Sequence, residues 1–139
     1  MSGGPLRSKH FIGSPVIEFN GDRAFVETNA ILLVDHLDLG IGATIHNRFL
    51  DRVERRDGVW RIAHRESVYD MGGFTYPFGA QGMADVLGSA RRHPREYAAL
   101  AYLLERAGHP AASTCPTRFS ERERSILDDG HAWLAGNAR

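Results

Sequence analysis

Cysteine is nearly missing from this sequence. Cys115 is alone in 139 residues, so no intramolecular disulfide can form and no cysteine cluster can hold a metal. Such sparing use fits a reducing compartment, and the cytoplasm is the expected location. Lysine is equally scarce: Lys9 is its single example, and arginine supplies the rest of the positive charge. Acidic and basic residues balance at 17 each, for a formal net charge of zero. No global field therefore draws the chain to nucleic acid or to a membrane surface. Long apolar runs are absent too. The longest, such as AILLV at 30–34, fall far short of a membrane span, and the opening MSGGPLRSKHF has no apolar signal core. There is no glycine loop of the phosphate-cradling kind and no serine or cysteine nucleophile motif. The arginine pairs 55–56 and 91–92 are offset by acids and lack an alternating aromatic platform, which again excludes nucleic acid as an expected partner.

What is present reads as one α+β domain over residues 1–139, with an antiparallel sheet over 8–75 and a helical segment over 83–139. Residues 1–9 form a polar lead-in. SPVIEFNGDRAFVETNAILLV, from Ser14, alternates as two strands about a turn at Asn20-Gly21-Asp22. DHLDLGIG at 35–42 breaks the pattern and reads as a turn. A long strand follows over 43–54, RRDG at 55–58 turns the chain, and VWRIAHRESVYD returns as the fourth strand. MGGFTYPFGAQG at 71–82 is a glycine-rich exit loop. Beyond it Pro94 opens a helix whose stripe is Tyr97, Leu100, Ala101 and Leu104, stopped by Gly108 and Pro110. A second helix begins at the capping-box spacing Ser120-x-x-Glu123 and carries Ile126, Leu127, His131 and Leu134. The expected role of both helices is to cover one face of a four-stranded meander.

The 48–70 stretch, RFLDRVERRDGVWRIAHRESVYD, is the most informative. With Glu54 placed opposite Trp60, Asn47 faces Ser67, Phe49 faces Arg65, and Asp51 faces Ala63. Alternation then puts Asn47, Phe49, Asp51, Arg65, Ser67 and Tyr69 on one side, and Arg48, Leu50, Arg52, His64, Glu66 and Val68 on the other. The first side mixes an aromatic ring, a phenol, an amide, a hydroxyl and a guanidinium. That mixture suits a lined cavity, where apolar walls carry a few orienting polar groups, although a solvated sheet face has the same pattern.

On these residues a family resemblance rests. RFLDRVERRDGVWRIAHR, preceded by SKHFIGSPVIEFNGDRAFVET, resembles the SnoaL-like branch of the nuclear-transport-factor-two-like superfamily, alongside scytalone dehydratase-like and hexachlorocyclohexane dehydrochlorinase-like proteins. The resemblance covers roughly residues 8 to 75 and is most specific at ERRDGVWRI and at His10-x-x-Gly13. It implies a curved, cone-like sheet closing a pocket on its concave side. It also implies a cofactor-independent lyase or isomerase, or a polyketide cyclase-like protein, acting on a small apolar cyclic molecule and forming a homodimer. Carried over residue by residue, it makes His10 the catalytic base and Arg65 the support for a departing anion. Ala30, Leu32, Asn47, Phe49, Ser67 and Tyr69 become the substrate-binding wall. A neutral imidazole is suited to remove a proton beside a leaving group or carbonyl, and a carboxylate on its other nitrogen would fix its tautomer.

The chain departs from the family at its start. The helices that precede the first strand in the family, and with them the acidic partner of the histidine, have no counterpart in the nine residues before His10. An internal start or a shortened chain is the expectation, with Asp51 and Asp70 as alternative acids. A non-catalytic binding or dimerisation module, or an inactive family member, is the competing expectation. In a homodimer Leu50, Ile62 and Val68 would be buried on the outer face. His36 and Asp38 make only two ligands in a turn, so no metal or cofactor is expected. The remaining histidines have no partner that the sequence identifies.

Overall fold

The computed structural model describes residues 4–110 and 114–136. Five strands, β1 (Leu6–Ile12), β2 (Val16–Asn20), β3 (Arg23–His36), β4 (Ile41–Arg56) and β5 (Val59–Thr75), precede three helices, α1 (Ala84–Ala90), α2 (Ala98–Arg106) and α3 (Glu121–Leu134). The sheet is antiparallel and holds five strands where four were expected, β1 being the addition. Its first edge is broken in two: β1 pairs with the end of β3 and β2 with its beginning. Gly13, between them, stays attached through its N–H to the Asn29 carbonyl at 2.8 Å. The lead-in read as loose is therefore partly strand, from Leu6 onward.

Curvature is visible in one contact. Phe19 of β2 and Trp60 of β5 lie at opposite sides of the sheet, yet their rings meet edge to face at 5.7 Å. Both side chains stand on the face that carries Asn47 and Tyr69, by the alternation of their partners. That face is the concave one.

The β4–β5 hairpin differs in register from the expected pairing and keeps its faces. The turn is the two residues Asp57-Gly58, both at positive φ (53° and 76°), so Arg55 rather than Glu54 opposes Trp60. A second residue, Ala63, is then passed over at a bulge between Arg52 and Val53. The two offsets add to an even number. Asn47 thus meets Tyr69, Phe49 meets Ser67 and Asp51 meets Arg65, all on the side predicted. A second bulge, between His46 and Asn47, leaves out Asp70.

The helices do not share a face, contrary to expectation. The end of α1 and α2 pack on the concave side over Val34, Ile41, Ala43 and Ile45. Helix α3 packs on the convex side, where Trp133 and Leu134 cover Phe25, Leu50 and Val68. Leu50 and Val68, expected in a dimer contact, are therefore buried by the chain's own α3, while Ile62 remains exposed. Helix α3 has half of the expected capping box: the Glu123 N–H donates to Ser120 Oγ at 3.1 Å, but Glu123 Oε1 accepts from the Phe119 N–H at 3.1 Å, while the Ser120 N–H donates to the Thr117 carbonyl. Helix α1 gave no sequence signal because it is two turns long, contains Gly88 and has no side-chain cap.

A charge cluster fastens α3 to the sheet. Arg48, on the convex face, donates to both oxygens of Asp70, to Glu27 and to Glu123 of α3. With Glu54 opposite Trp60, Arg48 would fall across from Glu66. Instead the bulge aims the Asp70 carboxylate at it, and Glu66 pairs with His64 at 3.0 Å. The carboxylates, Asp70 first, hold the Arg48 pKa above its ordinary value against the cost of burial. No helix among the described residues is long and apolar enough to cross a membrane.

Candidate active site on the concave face

The middle of the concave face is a row of directly paired residues, Ile12, Ala30, Asn47 and Tyr69, from β1, β3, β4 and β5 in turn. Asn47 is buried, and its amide donates to Ser67 Oγ at 2.8 Å. Tyr69 lies beside them. Burial pushes its hydroxyl above the usual tyrosine range, a hydrogen bond with Ser67 opposes that, and nearby Cys115 and Tyr97 add to it. The Tyr97 ring sits 5.5 Å from that of Tyr69, and its hydroxyl accepts the Cys115 N–H at 3.2 Å. Burial also raises the Cys115 thiol, with Arg122 pulling the other way. The result is a set of neutral polar groups: amide, hydroxyl, phenol and thiol.

Three of the expected wall residues, Asn47, Ser67 and Tyr69, are thus brought into one hydrogen-bonded cluster. Ala30 is buried in the same row, and Leu32 lies one pair further along, partly packed against the α1–α2 core. Phe49 lies on the other side of Asn47, directly across from Ser67. Tyr97 and Cys115 were not expected here. Tyr97, expected inside a helix opened by Pro94, is instead the residue that caps α2 at its start, and Cys115 arrives because residues 116–118 run along the free edge of β5: Tyr69 N–H donates to the Pro116 carbonyl at 3.0 Å, and Arg118 N–H donates to the Tyr69 carbonyl at 2.9 Å. No local pattern encodes that docking.

His10 and Arg65 are not brought together. His10 is exposed on edge strand β1, concave side, across from Leu32, whereas Arg65 shares a row with Val26. Six residues of strand separate those rows, about 20 Å at the usual rise. Curling closes the lateral gap, as Phe19 and Trp60 show, but leaves the offset along the strands. Arg65 is also committed. Its Nε and Nη2 bind the buried Asp51 carboxylate at 2.7 and 2.8 Å, and its guanidinium lies 4.1 Å from the centre of the Phe49 ring. Asp51 in turn holds the Arg65 pKa above its ordinary value. Of the alternative acids, Asp51 therefore serves Arg65 and Asp70 serves Arg48. Buried His36 accepts the Leu39 N–H at Nδ1 (3.2 Å), and no group of three or more metal-ligating side chains occurs among the described residues.

The chain is thus α+β, a curved antiparallel sheet with helices on both faces and a polar cluster on the concave one. Residues 1–66, just under half of the chain, match the SnoaL-like domain. No curated protein matches it. Among solved structures, a scytalone dehydratase-like protein from Novosphingobium aromaticivorans is similar at 19% identity over 52% of each chain, with a TM-score of 0.44. The aligned part is thus about half of that protein's length.

Proposed function

We propose that the concave face around Asn47, Ser67 and Tyr69 binds a small, mainly apolar molecule through a carbonyl or hydroxyl group. The observation that carries this reading is the neutral hydrogen-bonded cluster itself, flanked by Ala30, Leu32 and Phe49. A neutral phenol donates to a ligand oxygen, and apolar walls with few polar groups favour a neutral, compact body. Nothing in the cluster is positioned to neutralise a charged ligand, since Arg65 is spent on Asp51.

A catalytic reading rests on a second observation, that His10 stands at the open edge of this same face. There it would serve as the general base of a cofactor-independent lyase or isomerase, removing a proton beside a carbonyl held by Tyr69. A second copy of the chain would find exposed Phe11, Leu33 and Met71 on the part of the convex face that α3 leaves free.

1-Tetralone, a neutral bicyclic ketone with exchangeable protons beside its carbonyl, tests both readings in deuterated buffer. Saturable binding is expected, weakened about tenfold in Tyr69→Phe by loss of one hydrogen bond to a buried partner. No saturable binding, or equal affinity in that variant, overturns the binding proposal. Exchange above the buffer rate that disappears in a folded His10→Ala supports catalysis. Exchange unaffected by that change, or none at all with the ketone bound, leaves a binding protein without chemistry.

A further inference from the structure

Away from the concave cluster, a cavity of about 430 Å³ lies between the outer end of β5 and the first two helices. Its apolar lining comes from Phe74, Leu87, Ala90, Ala98 and Ala99, with the backbone at Gly72 and Gly73. Its polar lining is Arg91, His93 and Arg95, alternate residues of the RRHPR segment that joins α1 to α2, with no acidic side chain among them. Glu105 pairs with Arg92 and also meets His93 Nε2 at 2.7 Å. Of the arginine doublets, Arg55 is held by Asp22, Arg56 by Glu54 and Arg92 by Glu105. Among the described residues Arg91 and Arg95 enter no such ion pair.

The geometry points to a second binding site here, for a small molecule with an apolar body and a carboxylate at one end. The volume falls in the range of small-molecule pockets. An apolar floor rewards a hydrocarbon body in proportion to the area it removes from water. Two guanidinium groups at the rim, planar and permanently charged, match the two oxygens of a carboxylate better than they match any neutral group. An acid of this shape would complete two charge-assisted contacts that the chain leaves open. The site is independent of the neutral cluster, which offers a ligand no free cation.

Decanoate and its neutral counterpart decan-1-ol, titrated separately by calorimetry into the full chain, decide the matter. Decanoate is expected to bind saturably at one site and about tenfold or more tighter than the alcohol. The double variant Arg91→Gln/Arg95→Gln is expected to lose that difference while keeping the alcohol's affinity. Arg61→Gln/Arg124→Gln removes the same charge from exposed positions elsewhere and is expected to leave decanoate within about twofold of the parent. Thermal unfolding of each variant confirms that it is folded. Equal binding of acid and alcohol, decanoate affinity unchanged in Arg91→Gln/Arg95→Gln, or no saturable binding of decanoate overturns the proposal. An equal loss in both double variants does so too, because it reveals only general charge attraction.

Discussion

Gly130 provides a sharp test of how α3 is docked. A β-carbon built there would lie 2.3, 2.5 and 3.0 Å from Cε1, Cζ and Cδ1 of Phe25, well inside contact distance. Phe25 cannot step aside at little cost. It is buried, packs with Leu50, Val68 and Trp133, and meets the His131 ring at 5.1 Å. Gly130→Ala gains about 1 kcal/mol of helix propensity. Against it stands overpacking, which costs about 1–3 kcal/mol for added carbon in a well-packed core and falls toward the upper end for so deep an overlap. A net destabilisation of about 1–2 kcal/mol is expected, read as a lower urea midpoint at unchanged slope. Gly88→Ala is the matched control. Position 88 is also helical but has nothing within 4 Å of the new carbon, so only the propensity acts, and stability rises by up to about 1 kcal/mol. In a Phe25→Leu background the Gly130→Ala penalty should shrink, since the clashing ring is gone. A Gly130→Ala chain as stable as the parent would refute the close seating of α3 on Phe25.

Two further outcomes follow from the charge cluster and the buried phenol. Arg48→Met leaves Asp70, Glu123 and Glu27 facing one another without a cation, and should cost about 3–5 kcal/mol near neutral pH. Urea unfolding at pH 7 checks this, and a deficit under about 0.5 kcal/mol would refute it. Tyr69 has its folded-state pKa raised, so between the unfolded value, about 10, and the higher folded value the native state holds the extra proton. Stability contributed by this group is complete below pH 10 and falls as pH rises through that window. Tyr69→Phe should flatten the alkaline limb of a stability–pH curve, and an unchanged limb would show that the hydroxyl is not buried as described.

Much of the fold was legible along the chain because its signals are local. The alternation of β3, β4 and β5, the Asp57-Gly58 turn and the Ser120–Glu123 cap each depend on residues within a few positions of one another. Even the misjudged hairpin register kept Asn47, Ser67 and Tyr69 on one side, because faces repeat every second residue and the total offset was even. The tertiary structure decided what has no local code. Which face receives a helix depends on which apolar surface remains uncovered, so α3 went to the convex side of Phe25 and Leu50, and α2 to the concave side of Ile45. Arg65 could be recognised as a cation but not as the partner of Asp51, since that pairing needs the Ala63 bulge. Tyr97 and Cys115 joined the polar cluster only through chain segments far from it in sequence. Local periodicity fixes which side a residue faces, and long-range packing fixes what it meets there.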